Sequence, residues 1–492
     1  MKKRYHLFIF IIMILGCTRP DTPVANTVPT TATINSFWTS TAQPYQDITL
    51  HGISENSPPS LYIRDVLAPA FEAETGIRID LQISNNTRIE QVIADEGREF
   101  DFVYIEQDVI YGYLANERLV NLTQLMEDHP TLVAPTFNLD NFTDFYREFT
   151  TPVDANREEA GSYLYGIPIE AFIKVYLYRQ DLFSDPVIQQ QFEAEYHYPL
   201  APAVTFEQYH DIALFFTQYG QDNELELWGT TVQATNSDIA SFYEFFETIA
   251  PSFGIYDWGI SLETYRSTVT NGGKLDSKQA IDALDYWVSL LEYAPPEAAE
   301  STWDDVADTF AAGRVAQGWI YGEDVAWLAT DTTRSQVVGN VGVALPPTAR
   351  GVMQDATMGV GYLGYYDGAA FGIPINSANK QATLLWLQYL GQPDVQPAWA
   401  INSGRVVHLS TFDDPLVREQ DRRINGYYTL MKKQGVLFAG APPFPFHAQV
   451  RDIITPFIHQ AIRGDLSATE ALTSAAQAVD EELGRLGYSV VR

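Results

Sequence analysis

Residues Ser301 to Leu328, STWDDVADTFAAGRVAQGWIYGEDVAWL, decide the fold. Ser301 or Thr302 is placed to cap a helix, with Asp304 and Asp305 in its first turn, where the positive end of the helix dipole favours acids. Val306 and Phe310, with Trp303 and Ala307, make one apolar stripe. Gly313 is a left-handed stop. Val315 to Tyr321 then reads as a short buried strand, and Gly322-Glu323-Asp324 opens the next helix. In an open α/β sheet, ligands collect where strands end and helices begin. Trp319, Tyr321, Glu323 and Asp324 are therefore placed at the mouth of a cleft. The competing reading makes the aromatics core and the acids helix caps.

Upstream, Ile48 to Gly52 reads as a strand, Tyr62 to Thr75 as a helix closed by Gly76, and Ile77 to Ile83 as an alternating second strand. Arg88 to Glu96 is a short helix, Phe100 to Ile105 a buried strand, and Glu106-Gln107-Asp108 opens another helix. This β-α-β-α-β order calls for right-handed crossovers and a largely parallel sheet. Asp128 to Ser162 carries Pro130, Pro135 and Pro152 and is irregular. Trp228 to Val232 reads as a strand whose following loop, through Asn236, caps an aromatic helix from Ile239 to Phe246. Asp276 to Tyr293 is an amphipathic helix and Lys380 to Leu390 another helix.

The chain has 492 residues, 46% of them hydrophobic, enough for two or more lobes with sizeable cores. Its net charge of −33 excludes nucleic acid as a partner, because phosphate binding needs basic patches. Lys2, Lys3 and Arg4 precede an apolar run from Leu7 to Leu15 that is too short to span a bilayer, which is the layout of an export signal. It ends in Ile14-Leu15-Gly16-Cys17, which resembles a bacterial lipobox and implies cleavage after residue 16 with lipidation of Cys17. Cys17 is the sole cysteine, so disulfides and a thiol nucleophile inside the fold are excluded. Residues 17–46, rich in Thr, Pro, Ala and Ser, read as an extended tether. The eight histidines are dispersed, with no HExxH, GxSxG or GxxxxGK[ST] pattern, so neither a metal nor another cofactor is expected.

The opening stretch, with its order Phe310-Ala-Ala-Gly313, strand, turn and helix, resembles a signature of family 1 of the extracellular solute-binding proteins of ABC importers. Tyr165-Gly166-Ile167-Pro168 followed by Tyr178 to Phe183 resembles another of its elements, as do Val341 to Pro347, Phe371 to Pro374 with Asn376-Ser377, and Asn402 to Arg405 with Asp414-Pro415. The matches run in order from about residue 48 to 485. The resemblance implies an α/β protein of two lobes, a type II-like periplasmic-binding-protein fold, each lobe a mostly parallel sheet flanked by helices. Residues 48–160 and 346–395 are expected in lobe 1, and 161–345 and 396–492 in lobe 2, with the ligand closed between them.

A cleft for a polyol wants carboxylates and amides that accept hydroxyl hydrogens and aromatic faces for the C–H side of a ring. Glu55, Glu106, Asp108, Glu170, Asn236, Trp319, Tyr321, Asp324, Tyr362 and Arg405 stand at successive strand ends and are the expected ligand-binding set. The reading is a monomeric, exported, lipid-anchored binder on the outer face of the cytoplasmic membrane. It delivers a small solute, a sugar or polyol, to the transmembrane subunits of an ABC permease. Two alternatives stay open: a cationic solute such as a polyamine, for which clustered carboxylates are the reason, and an exported carbohydrate-active enzyme using Glu106 with Asp108 or Glu323 with Asp324.

Overall fold

The computed structural model describes residues 31–150 and 163–488. Seven strands form the sheet: β1 (Thr49–Glu55), β2 (Arg78–Ser84), β3 (Phe102–Glu106), β4 (Gly166–Arg179), β5 (Gln317–Tyr321), β6 (Val341–Ala344) and β7 (Tyr366–Gly372). Their order is β2-β1-β3-β7-β4-β5, with β6 also on β4. The helices between them start where the sequence supplies caps. Asn85 accepts from the Arg88 N–H, and Thr205 with Gln208 and Thr302 with Asp305 each form a capping box. Gly76 (φ 75°) closes the helix Ala68–Thr75 as expected.

β4 ties the halves of the sheet together. Its first part, Gly166–Ile173, pairs with β7; from Lys174 onward its partners are β5 and β6. The apolar run GIPIEAFIKVYLYR is buried from Gly166 to Leu177, as a strand sandwiched on both faces must be. Within it Glu170 and Lys174 are buried charges, four residues apart and on one side of the strand. A register shift lies between Pro168 and Glu170. Opposite it, Gly368 takes φ 143°, where an added Cβ would collide with the Glu170 carbonyl, so only glycine lets β7 approach there.

One hydrophobic core lies around β1, β3 and β7, with Trp386 and Leu387 of the helix Lys380–Leu390 and Trp399 of the helix Gln396–Ser403. The other gathers the helices Phe206–Asp222, Lys278–Ser289, His447–Ile462 and Ala468–Arg485. Gln396–Ser403 packs on Pro58–Tyr62, with the Trp399 and Tyr62 rings 6.3 Å apart, so this segment buries with the first core.

Three expectations change. Parallel pairing is confined to β1 with β2 and β1 with β3; every pair made by β4 and β7 is antiparallel. The α/β class survives this, because β1, β2 and β3 keep a parallel βαβ start and the antiparallel pairs lie beyond β3. Trp228–Val232 is no strand: it makes a single bridge, Trp228 to Val315, and the Gly229 backbone lies against the Ala213 backbone instead. The stretch taken as extended up to Gln46 contains a helix, Thr31–Ala42. Trp38 is 1% exposed, donates from Nε1 to Gln392 at 3.0 Å and meets Tyr389 edge-on at 5.5 Å. Cys17 and part of the irregular 128–162 segment lie outside the described residues.

If residues 31–42 are part of the fold, Trp38→Ala should cost about 3–5 kcal/mol of unfolding free energy, the range for truncating a buried aromatic. Urea denaturation of the full chain reads this; an unchanged midpoint would return the segment to the tether.

Candidate functional site

Arg405 stands among carboxylates from the end of β1, from within β4 and from the turn after β5. It follows Gly404, which ends the helix Gln396–Ser403 at φ 72°, with its Cα so close that an added Cβ would lie 2.6 Å from the Glu323 carbonyl oxygen. That contact sets the guanidinium beside Glu323, to which it donates from Nε and, at 2.8 Å, from Nη2. Nη1 donates to Glu170 on β4, and Glu55, the last residue of β1, lies 3.9 Å away. The Tyr104 hydroxyl of β3 donates to the other Glu170 oxygen at 2.6 Å, and the guanidinium covers the Phe172 ring at 4.8 Å. Burial alone depresses the pKa of Arg405, but Glu170 and Glu323 outweigh it and raise it well above the ordinary value. Burial and the charge of Glu170 push Glu55 up to about 7. Burial and Glu323 do the same for Asp324, also to about 7, while Trp327 donates to it at 2.8 Å.

A second group forms where β4 changes partners. Lys174, 4% exposed, donates to Glu244 and, at 2.9 Å, to Gln233, and lies 4.3 Å from the Tyr321 ring centre. Glu244 and Glu247 sit on a π-helical turn, Glu244–Ile249, whose phenylalanines at 245 and 246 enter the second core. Tyr321 donates from its hydroxyl to Glu247 at 2.8 Å, and burial holds the Glu247 carboxyl well above the usual range. Across the sheet, Glu106 faces Ala369 of β7, which also faces Glu170 of β4. Gln107 donates to Asp367 at 3.0 Å, as does the Gly368 N–H at 2.6 Å, yet burial still pushes Asp367 up to about 7. Asp108 accepts from the Tyr243 hydroxyl at 3.1 Å, with Arg451 3.8 Å away. Burial, then the charges of Asp108 and Glu55, hold Glu106 well above its ordinary value.

The arrangement thus brings together Glu55, Glu106, Asp108, Glu170, Tyr321, Asp324 and Arg405 from the expected set. Three others fall elsewhere. Asn236 is exposed, because the strand that was to carry it to the cleft does not form. Trp319 is 2% exposed and stacked on Tyr209 at 4.2 Å, so it is core. Tyr362 packs on Tyr256 at 4.8 Å and accepts from the Asp257 N–H at 2.7 Å, at the edge of the second core. Tyr104, Lys174, Glu244, Glu247, Asp367 and Arg451 join the cluster without having been expected. The one signal for them was a charge inside an apolar or aromatic run: Lys174 in AFIKVYLY and the two glutamates in FYEFFETI. A surface hollow lined by Glu297, Asp305, Thr309 and Arg314 shares no residue with this cluster.

Two sheet halves that meet along one strand, with acids at the strand ends, form a two-lobed ligand-binding architecture. The sequence pattern described as bacterial extracellular solute-binding protein matches residues 67–412. The chain belongs to this family. Solved structures agree on the fold: maltose-bound MalE3 of T. maritima has 17% identity, covers 89% of this chain and all of its own, and gives a TM-score of 0.70. An ABC transporter solute-binding protein of Agrobacterium radiobacter in complex with ribitol has 18% identity, coverage of 89% and 99%, and a TM-score of 0.65. UgpB of Mycobacterium tuberculosis in complex with glycerophosphocholine has 14% identity, coverage of 89% and 99%, and a TM-score of 0.65.

The carboxyls of Glu55, Asp324 and Asp367 bind their protons more tightly folded than unfolded. Their contribution to stability is therefore full below the unfolded pKa of about 4 and is lost as pH rises towards 7. Thermal unfolding of this solute-binding protein should accordingly show a melting temperature that falls between pH 5 and 7.5, and less steeply in Glu55→Gln/Asp367→Asn. A rising melting temperature over that window would contradict the assignment.

Proposed function

We propose that this chain is the lipid-anchored solute-binding component of an ABC importer. It closes two lobes on a carbohydrate or polyol and presents the closed form to the transmembrane subunits of a permease. The single observation that carries the reading is the convergence of polar strand ends from both halves of the sheet. Glu55, Glu106 and Asp367 lie on β1, β3 and β7, and Tyr321, Glu323 and Asp324 at the end of β5 and in the turn that follows it. All but Tyr321 keep part of their surface open, as side chains lining a cleft do, whereas Glu170 and Glu247 behind them are buried. Carboxylates accept hydroxyl hydrogens and Arg405 donates, which is the inventory a polyol needs. MalE3 with maltose and the Agrobacterium protein with ribitol support the choice of solute class.

The expected division, 48–160 with 346–395 against 161–345 with 396–492, is kept here except that Gln396–Ser403 goes with the first core on which it packs, and the change of partner along β4 is taken as the crossing between the lobes. Binding rather than catalysis is the role of the carboxylates, since most are engaged by Arg405, Lys174, Arg451 or tyrosine hydroxyls and hold fixed positions. Cys17 anchors the exported protein to the outer face of the cytoplasmic membrane, where it acts as a monomer.

Incubated with maltose, ribitol and related sugars, the protein should show a melting temperature that rises with the concentration of one of them, with that sugar recovered unchanged. Turnover that disappears in Glu106→Gln would instead make it an enzyme. Cys17→Ala should move the protein from the membrane fraction to the soluble fraction with its melting temperature intact; retention at the membrane would point to another anchor.

A further inference from the structure

Gln107 to Gly112, the stretch that follows β3, lies against Ala441 to Arg451, and the two stretches belong to different cores. Ile110 and Tyr111 pack in the first, Ala441, Phe444 and Val450 in the second. What joins them is polar. The Ala441 N–H donates to the Gln107 side chain at 3.1 Å, and the Tyr243 hydroxyl, beside Phe242 of the second core, donates to Asp108 at 3.1 Å. Arg451, 7% exposed, reaches across from the helix His447–Ile462. Its Nη1 donates to the Tyr243 hydroxyl at 3.2 Å and lies 3.8 Å from Asp108. Its Nη2 lies 3.6 Å from Glu90, on the helix Asn86–Ala94 that buries Ile89 and Ile93 in the first core. Its Nε is 3.7 Å from the neighbouring Asp452.

Two features set this contact apart from the cores on either side. Its ion pairs are long: 3.6 and 3.8 Å exceed the roughly 2.7–2.9 Å of a closed charge-assisted hydrogen bond, so Arg451 attracts both carboxylates without being clasped by either. Its groups are also ones that water satisfies when they part, and boundaries between domains that move are more polar than permanent ones. The side that carries Arg451 is stiff. Pro442, Pro443 and Pro445 restrict the loop before it, Phe444 and Phe446 stack at 4.5 Å, and Phe444 stacks on His447 at 4.4 Å. On the opposite side Gly112, inside the helix Ile110–Ala115, lets the ledge approach: an added Cβ would lie 3.2 Å from the Pro445 carbonyl oxygen. Gly112 has no positive φ, so its glycine serves the approach and not the backbone.

We propose that Arg451 is a latch between the lobes: drawn to Asp108 and Glu90 as the cleft closes, it holds the Gln107–Gly112 stretch on the proline-stiffened ledge and sets the balance between open and closed forms. The inference rests on the solute-binding reading and its division into lobes, in which Glu90, Asp108 and Gly112 lie on one lobe and Tyr243, Pro445 and Arg451 on the other. Arg451 acts here as a positioning residue. It raises affinity without meeting the solute, because a solute that binds the closed form binds more weakly when that form is less populated.

Small-angle X-ray scattering on the ligand-free full chain, carrying Cys17→Ala for solubility, tests this alongside the melting temperature. Arg451→Met and Glu90→Gln weaken the attraction, and Arg451→Lys keeps the charge. Gly112→Leu presses on the Pro445 carbonyl while putting a better helix former in place of glycine, so its melting temperature should equal or exceed the parent's. The expected result is a larger radius of gyration in Arg451→Met, Glu90→Gln and Gly112→Leu, recovered at least in part in Arg451→Lys. With the sugar that stabilises the parent, whether maltose, ribitol or a relative, calorimetry should read an affinity about 5- to 150-fold weaker in Arg451→Met and Gly112→Leu, the range of a shifted two-state equilibrium. Radii equal to the parent's in both variants overturn the latch, as does an affinity unchanged in both. A Gly112→Leu chain that melts well below the parent overturns it too, since the contact is then a permanent part of the fold. A parent that no sugar stabilises counts against the solute-binding reading alone, because the scattering comparison needs no ligand.

Discussion

Arg405 holds together three carboxylates that the sheet brings to one place. Three carboxylates arrive from β1, β4 and the turn after β5, and without a cation among them their mutual repulsion and desolvation would keep the cleft apart. The chain reaches this arrangement with backbone constraints more than with side-chain choice. Gly404 in a left-handed turn sets the guanidinium against Glu323, and Gly368 lets β7 close on β4 at the register shift that aims Glu170. Behind them, Tyr104 and Phe172 fix the carboxylate and the guanidinium plane, so the node is rigid before any solute arrives.

The second node has a different logic. Lys174 lies where β4 leaves β7 for β5 and β6, and it neutralises Glu244 within a largely apolar surround. The π-helical turn that carries Glu244 and Glu247 brings the two buried glutamates to Lys174 and Tyr321 while the phenylalanines between them pack into the second core. Such a turn is costly in an ordinary helix and persists where the site uses it.

How much of this was legible follows from where each residue stands in the chain. Glu55 follows the strand read at Ile48 to Gly52, Glu106 follows a short apolar one, and Tyr321 and Asp324 stand at and after the end of another, so the rule that ligands gather at strand ends picks out residues that the structure brings into one cluster. The same rule misplaced Asn236, because Trp228–Val232 looks like a strand in sequence but the Gly229 backbone packs tightly on the Ala213 backbone. It also could not choose the face of β5: Trp319 stacks on Tyr209 in the core while Tyr321, two residues on, reaches Glu247 with its hydroxyl. Lys174, Glu244 and Glu247 interrupt hydrophobic runs, and a sequence does not say whether such a charge is paired. Trp38 was hidden by the composition of its neighbours, since Thr, Ser and Ala carry no visible helical period around it. The antiparallel pairing of β7 with β4 depends on partners some 200 residues apart, beyond any local signal.

The account turns on Arg405 as the cation that makes the convergence possible, and unfolding of Arg405→Met in urea at neutral pH measures that directly. Removing one partner of a buried ion network while the others stay should cost about 3–5 kcal/mol. Adding Glu170→Gln to the same chain should return part of it, because the stranded charge is then gone. If Arg405→Met unfolds at the midpoint of the parent chain, the three carboxylates do not depend on the guanidinium and the account of the cleft is wrong.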